Sequence, residues 1–102
     1  FTEYQEQSRR TRSGKPDLIV AALGLCGESG EVADNLKKHI AQGHPFDWDK
    51  IVNEAGDIMW YLSLLCDALD ISMEEVAKRN IEKLRKRYPD GFSAERSMNR
   101  EG

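Results

Sequence analysis

Long hydrophobic runs are missing from this 102-residue sequence. No stretch approaches the roughly 18 uninterrupted apolar residues of a membrane span, and no signal peptide is visible, so no membrane partner is expected and the expected compartment is the cytoplasm. Positive charge is in short supply too: Lys and Arg number 15 against 18 Asp and Glu, a formal net charge of -3. That balance attracts neither nucleic acid nor an anionic membrane, so an anionic ligand must be met locally, by a cation or a small basic patch. Cysteine is limited to Cys26 and Cys66. Both sit among apolar residues in helical patterns and are expected as buried thiols of a reducing compartment, not as a disulfide framework. Strand signals are nearly absent: no apolar and polar alternation is sustained, and no hairpin dipeptide separates β-branched runs. There is no low-complexity segment and no P-loop to cradle phosphate with backbone N–H groups. The chain opens at Phe1 and not at Met, which leaves room for residues upstream.

What is present is a charged, helix-forming sequence. Hydrophobic residues make up 39% and charged residues 32%, which fits a soluble globular chain and argues against disorder. The length suits one domain, 1–102, whose modest core would gain from pairing with copies of itself. A first helix is expected over 2–12, broken by Ser13, Gly14, Lys15 and Pro16. A second is expected over 16–41, with Pro16 in the first turn, where it has no N–H to lose. The stretch "QGHPFD" reads as a loop. Asp47 reads as the cap of a third helix over 48–69. Ser72 followed by Glu75 is a capping box opening a fourth over 73–88, stopped by Pro89, Asp90 and Gly91. A polar tail, 89–102, follows. The expected fold is all-α, a four-helix-bundle-like subunit.

The second helix carries "GLCGESGEVADNLKKHI". On a wheel with Glu28 at zero, Ala21, Val32, Leu25, Leu18 and Leu36 fall at roughly 20° to 80°, with Glu31 near 300°. On the third helix, with Glu54 at zero, Leu65, Ile58, Ile51, Leu69 and Leu62 fall at roughly 20° to 80°, with Asp57 near 300°. Both acid pairs thus border an apolar stripe in the same phase. If the helices pack by those stripes, four carboxylates meet at the rim of one core. Convergent carboxylates repel, so a shared proton, basic partners or a metal must compensate them. All-oxygen ligation suits Mg²⁺, with Mn²⁺ as a substitute. A di-iron bundle would need Glu-x-x-His, which neither helix has. Gly24, Gly27 and Gly30 each cost up to about 1 kcal/mol against Ala inside a helix. Their use is close approach, to another helix or to a ligand.

These residues resemble a known family. "GLCGESGEVADNLKK", then "VNEAGDIMWYL", then "NIEKLRKRYPDGF" are similar to the MazG-like nucleoside triphosphate pyrophosphohydrolases of the all-α NTP pyrophosphatase superfamily. The family's signature is ExxE, a gap, then ExxD; Glu28, Glu31, Glu54 and Asp57 match it with 22 residues between the pairs. The resemblance implies hydrolysis of a nucleoside or deoxynucleoside triphosphate to monophosphate and pyrophosphate. It also implies Mg²⁺ held by those four acids, and a helical subunit forming a homodimer or homotetramer with its site near the subunit interface. Asn80 and Lys83 match polar positions of the family's last helix, where contact with phosphate or ribose is implied.

Other residues are weighed beside these. Asn80, Lys83 and Arg87 share one helical face, either a phosphate-reading patch or a solvated basic end complementing the helix dipole. Lys37 and Lys38 follow Glu31 and are explained as readily by helix C-terminal charge. Trp60, close to Asp57, is a candidate for stacking on a base, as is Trp48, although helical aromatics often serve the core. Gln5 and Arg12 are further candidates for reaching the base. His39 and His44 flank a loop and lack zinc-ligand spacing. Two other functions compete: a non-catalytic helical interaction module built on the carboxylate cluster, and a nucleic-acid binder using the basic fourth helix. The net charge and the lack of a recognition element weigh against the latter.

Overall fold

The computed structural model describes residues 1–91. The expected tail beyond Gly91 lies outside the described residues. Four helices follow in order: α1 (Thr2–Arg9), α2 (Leu18–Gln42), α3 (Trp48–Ala68) and α4 (Met73–Arg87). Among the described residues there is no strand, only an isolated bridge between Pro89 and Gly91 in the turn after α4. The all-α expectation holds.

Local chemistry sets the ends. Asp47 Oδ1 accepts the Lys50 amide at 3.0 Å, and Ser72 Oγ accepts the Glu75 amide at 3.0 Å, as their cap roles require. The Glu75 carboxylate takes Arg79 Nε at 3.1 Å. Gly43, at φ 70°, closes α2, and the His44 amide turns back to the Lys38 carbonyl at 3.2 Å. Two boundaries differ from expectation. α2 starts after Asp17, whose Oδ1 accepts the amides of Ile19 at 2.8 Å and Val20 at 3.1 Å. A carboxylate satisfies two orphan amides, whereas Pro16 only avoids adding one, so Pro16 stays outside the helix. α1 ends at Arg9, because the amides of Arg10, Thr11 and Arg12 bond three residues back, to Gln7, Ser8 and Arg9. This tightened turn carries Arg12 onto Asp67.

The five residues between α2 and α3 return the chain on itself. Asn35 meets Glu54 near that turn and Gly24 meets Tyr61 farther down, so the two long helices run antiparallel. Gly24 is needed there: a Cβ would collide with the Tyr61 ring. At Gly27 and Gly30 a Cβ would meet nothing within 4 Å. α1 lies on the C-terminal half of α3 through polar contacts. Ser8 Oγ and Ser63 Oγ are 2.6 Å apart, and Arg9 grips Asp67 with two bonds of 3.0 and 2.7 Å. Buried Gln5 donates to Asp67 and to the Ile71 carbonyl, and accepts the first amide of α4 from Met73 at 2.8 Å.

Among the described residues the four helices do not close a core. The buried apolar residues are Ala21, Leu64, Cys66 and Met73, while Leu18, Leu36 and Leu69 of the expected stripes stay more than a third exposed. Both cysteines are free thiols. Cys66 is buried as expected; Cys26 is exposed, because it lies on the flank of α2 turned away from α3.

Candidate active site

The antiparallel pairing sets the two acid pairs across from each other. Glu54 is the deepest, 9% exposed. Its Oε1 accepts Asn35 Nδ2 at 2.6 Å, while its buried Oε2 has no partner among the described residues. An orphaned carboxylate oxygen out of water is costly unless a donor or a cation meets it. Glu28 is half-buried, and Glu31 and Asp57 are exposed. The Glu28 carboxyl is pushed above the usual glutamate range, first by partial burial and then by the negative charges of Asp57, Glu31 and Glu54. The other three acids therefore lie near enough to Glu28 to act on it through space. Among the described residues none of them forms an ion pair with Lys, Arg or His; Lys38 goes to Asp34 at 3.1 Å.

Among the described residues no three His, Cys, Asp or Glu side chains close on a single point suited to an ion. The acids surround a region without gathering at one spot. The donor set nonetheless fits a hard divalent cation: carboxylate oxygens from two helices, one of them buried and unpartnered.

α1 adds a neighbour to the acids. Tyr4 is half-buried, and its phenol is pushed up by burial and then by the charge of Asp57. Neither Tyr4 nor Asn35 stood out in the sequence. Asn35 follows Glu28 by seven residues and Glu31 by four, a spacing that puts it on their helical face, and that signal was available. Tyr4 reaches Asp57 only through the docking of α1 on α3, which no local pattern announces.

The remaining candidates are dispersed. Trp60 is half-buried; its Nε1 donates to Thr11 Oγ1 at 2.7 Å, the Arg12 guanidinium lies 5.8 Å from its ring centre, and Tyr61 meets it edge-on at 5.0 Å. Gln5 and Arg12, expected near a base, are instead structural ties: Gln5 joins α1 to α3 and α4, and Arg12 pairs with Asp67. Their long polar side chains serve the junction of three helices. Asn80 and Lys83 are exposed on α4 and make no hydrogen bond or ion pair among the described residues, while Arg87 is half-buried and engaged. Trp48 is 65% exposed beside the α2–α3 turn. His39 has the loop role expected: its Nδ1 donates to the His44 carbonyl at 2.7 Å, and its ring meets Phe46 edge-on.

Fold and site together define an all-α protein with an acid cluster between two paired helices. The sequence pattern of the MazG nucleotide pyrophosphohydrolase domain matches residues 19–92, and the chain belongs to that family. The matched span holds both acid pairs, α2 but for its first residue, α3 and α4. Over 78 residues the chain is 35% identical to the Gene 37 protein of Mycobacterium phage L5, covering 72% of this chain and 68% of that protein. No solved structure matches the chain. No helix among the described residues is long and apolar enough to cross a membrane.

Proposed function

We propose that the chain hydrolyses nucleoside or deoxynucleoside triphosphates between the α and β phosphorus atoms, releasing the monophosphate and pyrophosphate in the cytoplasm. The observation that carries this reading is that Glu28, Glu31, Glu54 and Asp57 stand on two facing helices with the buried Oε2 of Glu54 unpartnered, the Glu28 carboxyl being pushed up by partial burial and then by the other three charges. Mg²⁺, or Mn²⁺ in its place, would be held by these four acids and would supply Lewis acidity and neutralise the charge of the triphosphate. Asn35 fixes one oxygen of Glu54 and leaves the other, buried and without a protein partner, as the one that would meet a cation. Glu28 or Glu31 would double as the base that takes the proton of the attacking water. As water oxygen bonds to the α phosphorus, the bridging P–O bond to the β phosphate breaks and pyrophosphate leaves. Asn80, Lys83 and Arg87 on α4 are proposed to contact phosphate or sugar, and Trp60 the base. The working form is a homodimer or homotetramer, in keeping with a single chain that leaves its core open.

The test is product analysis over a panel of NTPs and dNTPs, with and without Mg²⁺, beside Glu31→Gln. Monophosphate plus pyrophosphate, lost without metal and lost in the variant, is the expected outcome. No turnover, or orthophosphate release indifferent to the substitution, overturns the reading in favour of a non-catalytic interaction module.

A further inference from the structure

Asp67 is the hub on which α1 docks, and its carboxylate is fully engaged. Oδ1 accepts Gln5 Nε2 at 2.8 Å and Arg9 Nη2 at 2.7 Å, while Oδ2 accepts Arg9 Nε at 3.0 Å and pairs with Arg12 Nη2. One negative charge thus answers two guanidiniums, and donors are left over. Arg9, 55% exposed, can satisfy its remaining N–H groups with water. Arg12 has no such outlet: its side chain is nine-tenths buried, and its Nη1 has no hydrogen-bond partner among the described residues. Its guanidinium is pushed down from the usual arginine value, first by burial and then by the charge of Arg9. A buried cation paired this incompletely is costly and calls for a second anion.

Space for one lies beside it. A cavity of about 310 Å³ is lined by Arg9, Arg12 and Asp67, by Gly14 and Pro16 of the α1–α2 connection, and by Asp70. We propose that this cavity is an anion site for a phosphate group, free or carried by a small molecule, held by Arg12 Nη1 and by Arg9 Nη1, which takes no part in the grip on Asp67. Guanidinium forks match the oxygens of a phosphate and bond them more strongly than neutral donors do. The site stands apart from the four acids, none of which lines the cavity. Asp67 follows Asp57 by ten residues, about 15 Å along α3. Trp60, whose ring lies against Arg12, comes between them in the helix. The acids repel a bare phosphate and accept it only through a metal, whereas two arginines need none. Asp70 is exposed and forms no ion pair among the described residues, so water screens its charge. A phosphate in the cavity offsets the repulsion between Arg9 and Arg12 and fastens the turn after α1 to α3. Binding therefore stabilises the fold without any divalent ion, and the inference is independent of the hydrolysis reading.

The test is calorimetric titration of the full chain at low ionic strength, freed of divalent ions on a chelating resin, with thermal unfolding in parallel. The probes are orthophosphate, pyrophosphate and AMP. The expected result is one anion bound per chain with a rise in Tm, and binding weaker by about tenfold or more in Arg12→Gln and in Arg9→Gln, as loss of a hydrogen bond to a charged group implies. Asp70→Asn is expected to bind more tightly. Asp70 sits at φ 55°, a left-handed conformation that asparagine also adopts, so the change removes a repelling charge without straining the turn. A gain there is a result that mere loosening of α1 does not produce, and it keeps the test decisive should Arg12→Gln fail to fold. Glu31→Gln is expected to bind as wild type does, and the tightest of the three probes identifies the source of the phosphate. No binding at millimolar concentration, or binding indifferent to both Asp70→Asn and Arg9→Gln, overturns the site. So does binding lost in Glu31→Gln, which puts the anion among the acids. Turnover is scored in a separate assay, so either reading can fail alone.

Discussion

Asn35 illustrates how a neutral residue can govern a charged site. Its amide holds one oxygen of Glu54 at 2.6 Å, which leaves the carboxylate a single direction for its second oxygen. Partners of this kind orient a ligand without touching the ion, and losing one commonly lowers metal affinity or rate by about 10- to 100-fold. Asn35→Ala is therefore expected to raise the Mg²⁺ concentration needed for half-maximal activity by about that factor. Metal titration of the rate and of the thermal shift checks it; an unchanged titration would remove Asn35 from the site. The placing of the four acids on two facing helices was legible because charge and spacing are written in the residues themselves. Asn35 carries no charge and shares its helix with many polar residues, so only its contact with Glu54 sets it apart.

Between elements, the glycines of α2 divide by what surrounds them. Gly24 stands against the Tyr61 ring, whereas Gly27 meets nothing within 4 Å. Gly24→Ala forces the ring and α3 aside, a strain of about 1 to 3 kcal/mol that outweighs the gain in helix propensity. Gly27→Ala has only the propensity gain, up to about 1 kcal/mol. Urea unfolding of the two variants is expected to give opposite signs, and a stabilising Gly24→Ala would contradict the close helix approach. The element boundaries teach a similar lesson. Asp47 and Ser72 were readable as caps because each acts within its own turn. The start of α2 was not, since Pro16 and Asp17 both signal a helix start and the hydrogen-bonding residue prevailed. The end of α1 depends on Asp67, distant in sequence, and its wheel alone could not place it. Reading α2 for one apolar stripe likewise hid the second, on the side away from α3, where Ile19, Leu23 and Ile40 are exposed, because a wheel scored against one partner does not ask what the opposite side is for.

At the scale of the whole molecule, crowding four acids between two helices links global stability to pH. The native state holds the Glu28 proton more tightly than the unfolded chain does, since its pKa is raised on folding. The contribution of this group is fully present below the ordinary glutamate value of about 4.3 and is lost as pH rises through the raised value. Without divalent ions, Glu28→Gln should therefore gain on wild type in unfolding free energy as pH rises from about 4.3 through the raised value. Added Mg²⁺ should narrow that gap by neutralising the field in wild type. Parallel pH profiles for the two proteins would show that the acids do not share a field in solution.

The two-faced character of α2 also limits how freely its sequence can drift. An ordinary surface helix keeps a broad watery side on which substitutions pass unnoticed. Here one side meets α3, the other is apolar and bare and would be covered in the homo-oligomer proposed above, and the border carries Glu28 and Glu31. What remains for neutral change is a narrow strip, marked by Gly27 and the Asp34–Lys38 pair. A saturation library of α2 should show tolerance in that strip alone, so the longest helix of the chain is also the one with the least room to vary.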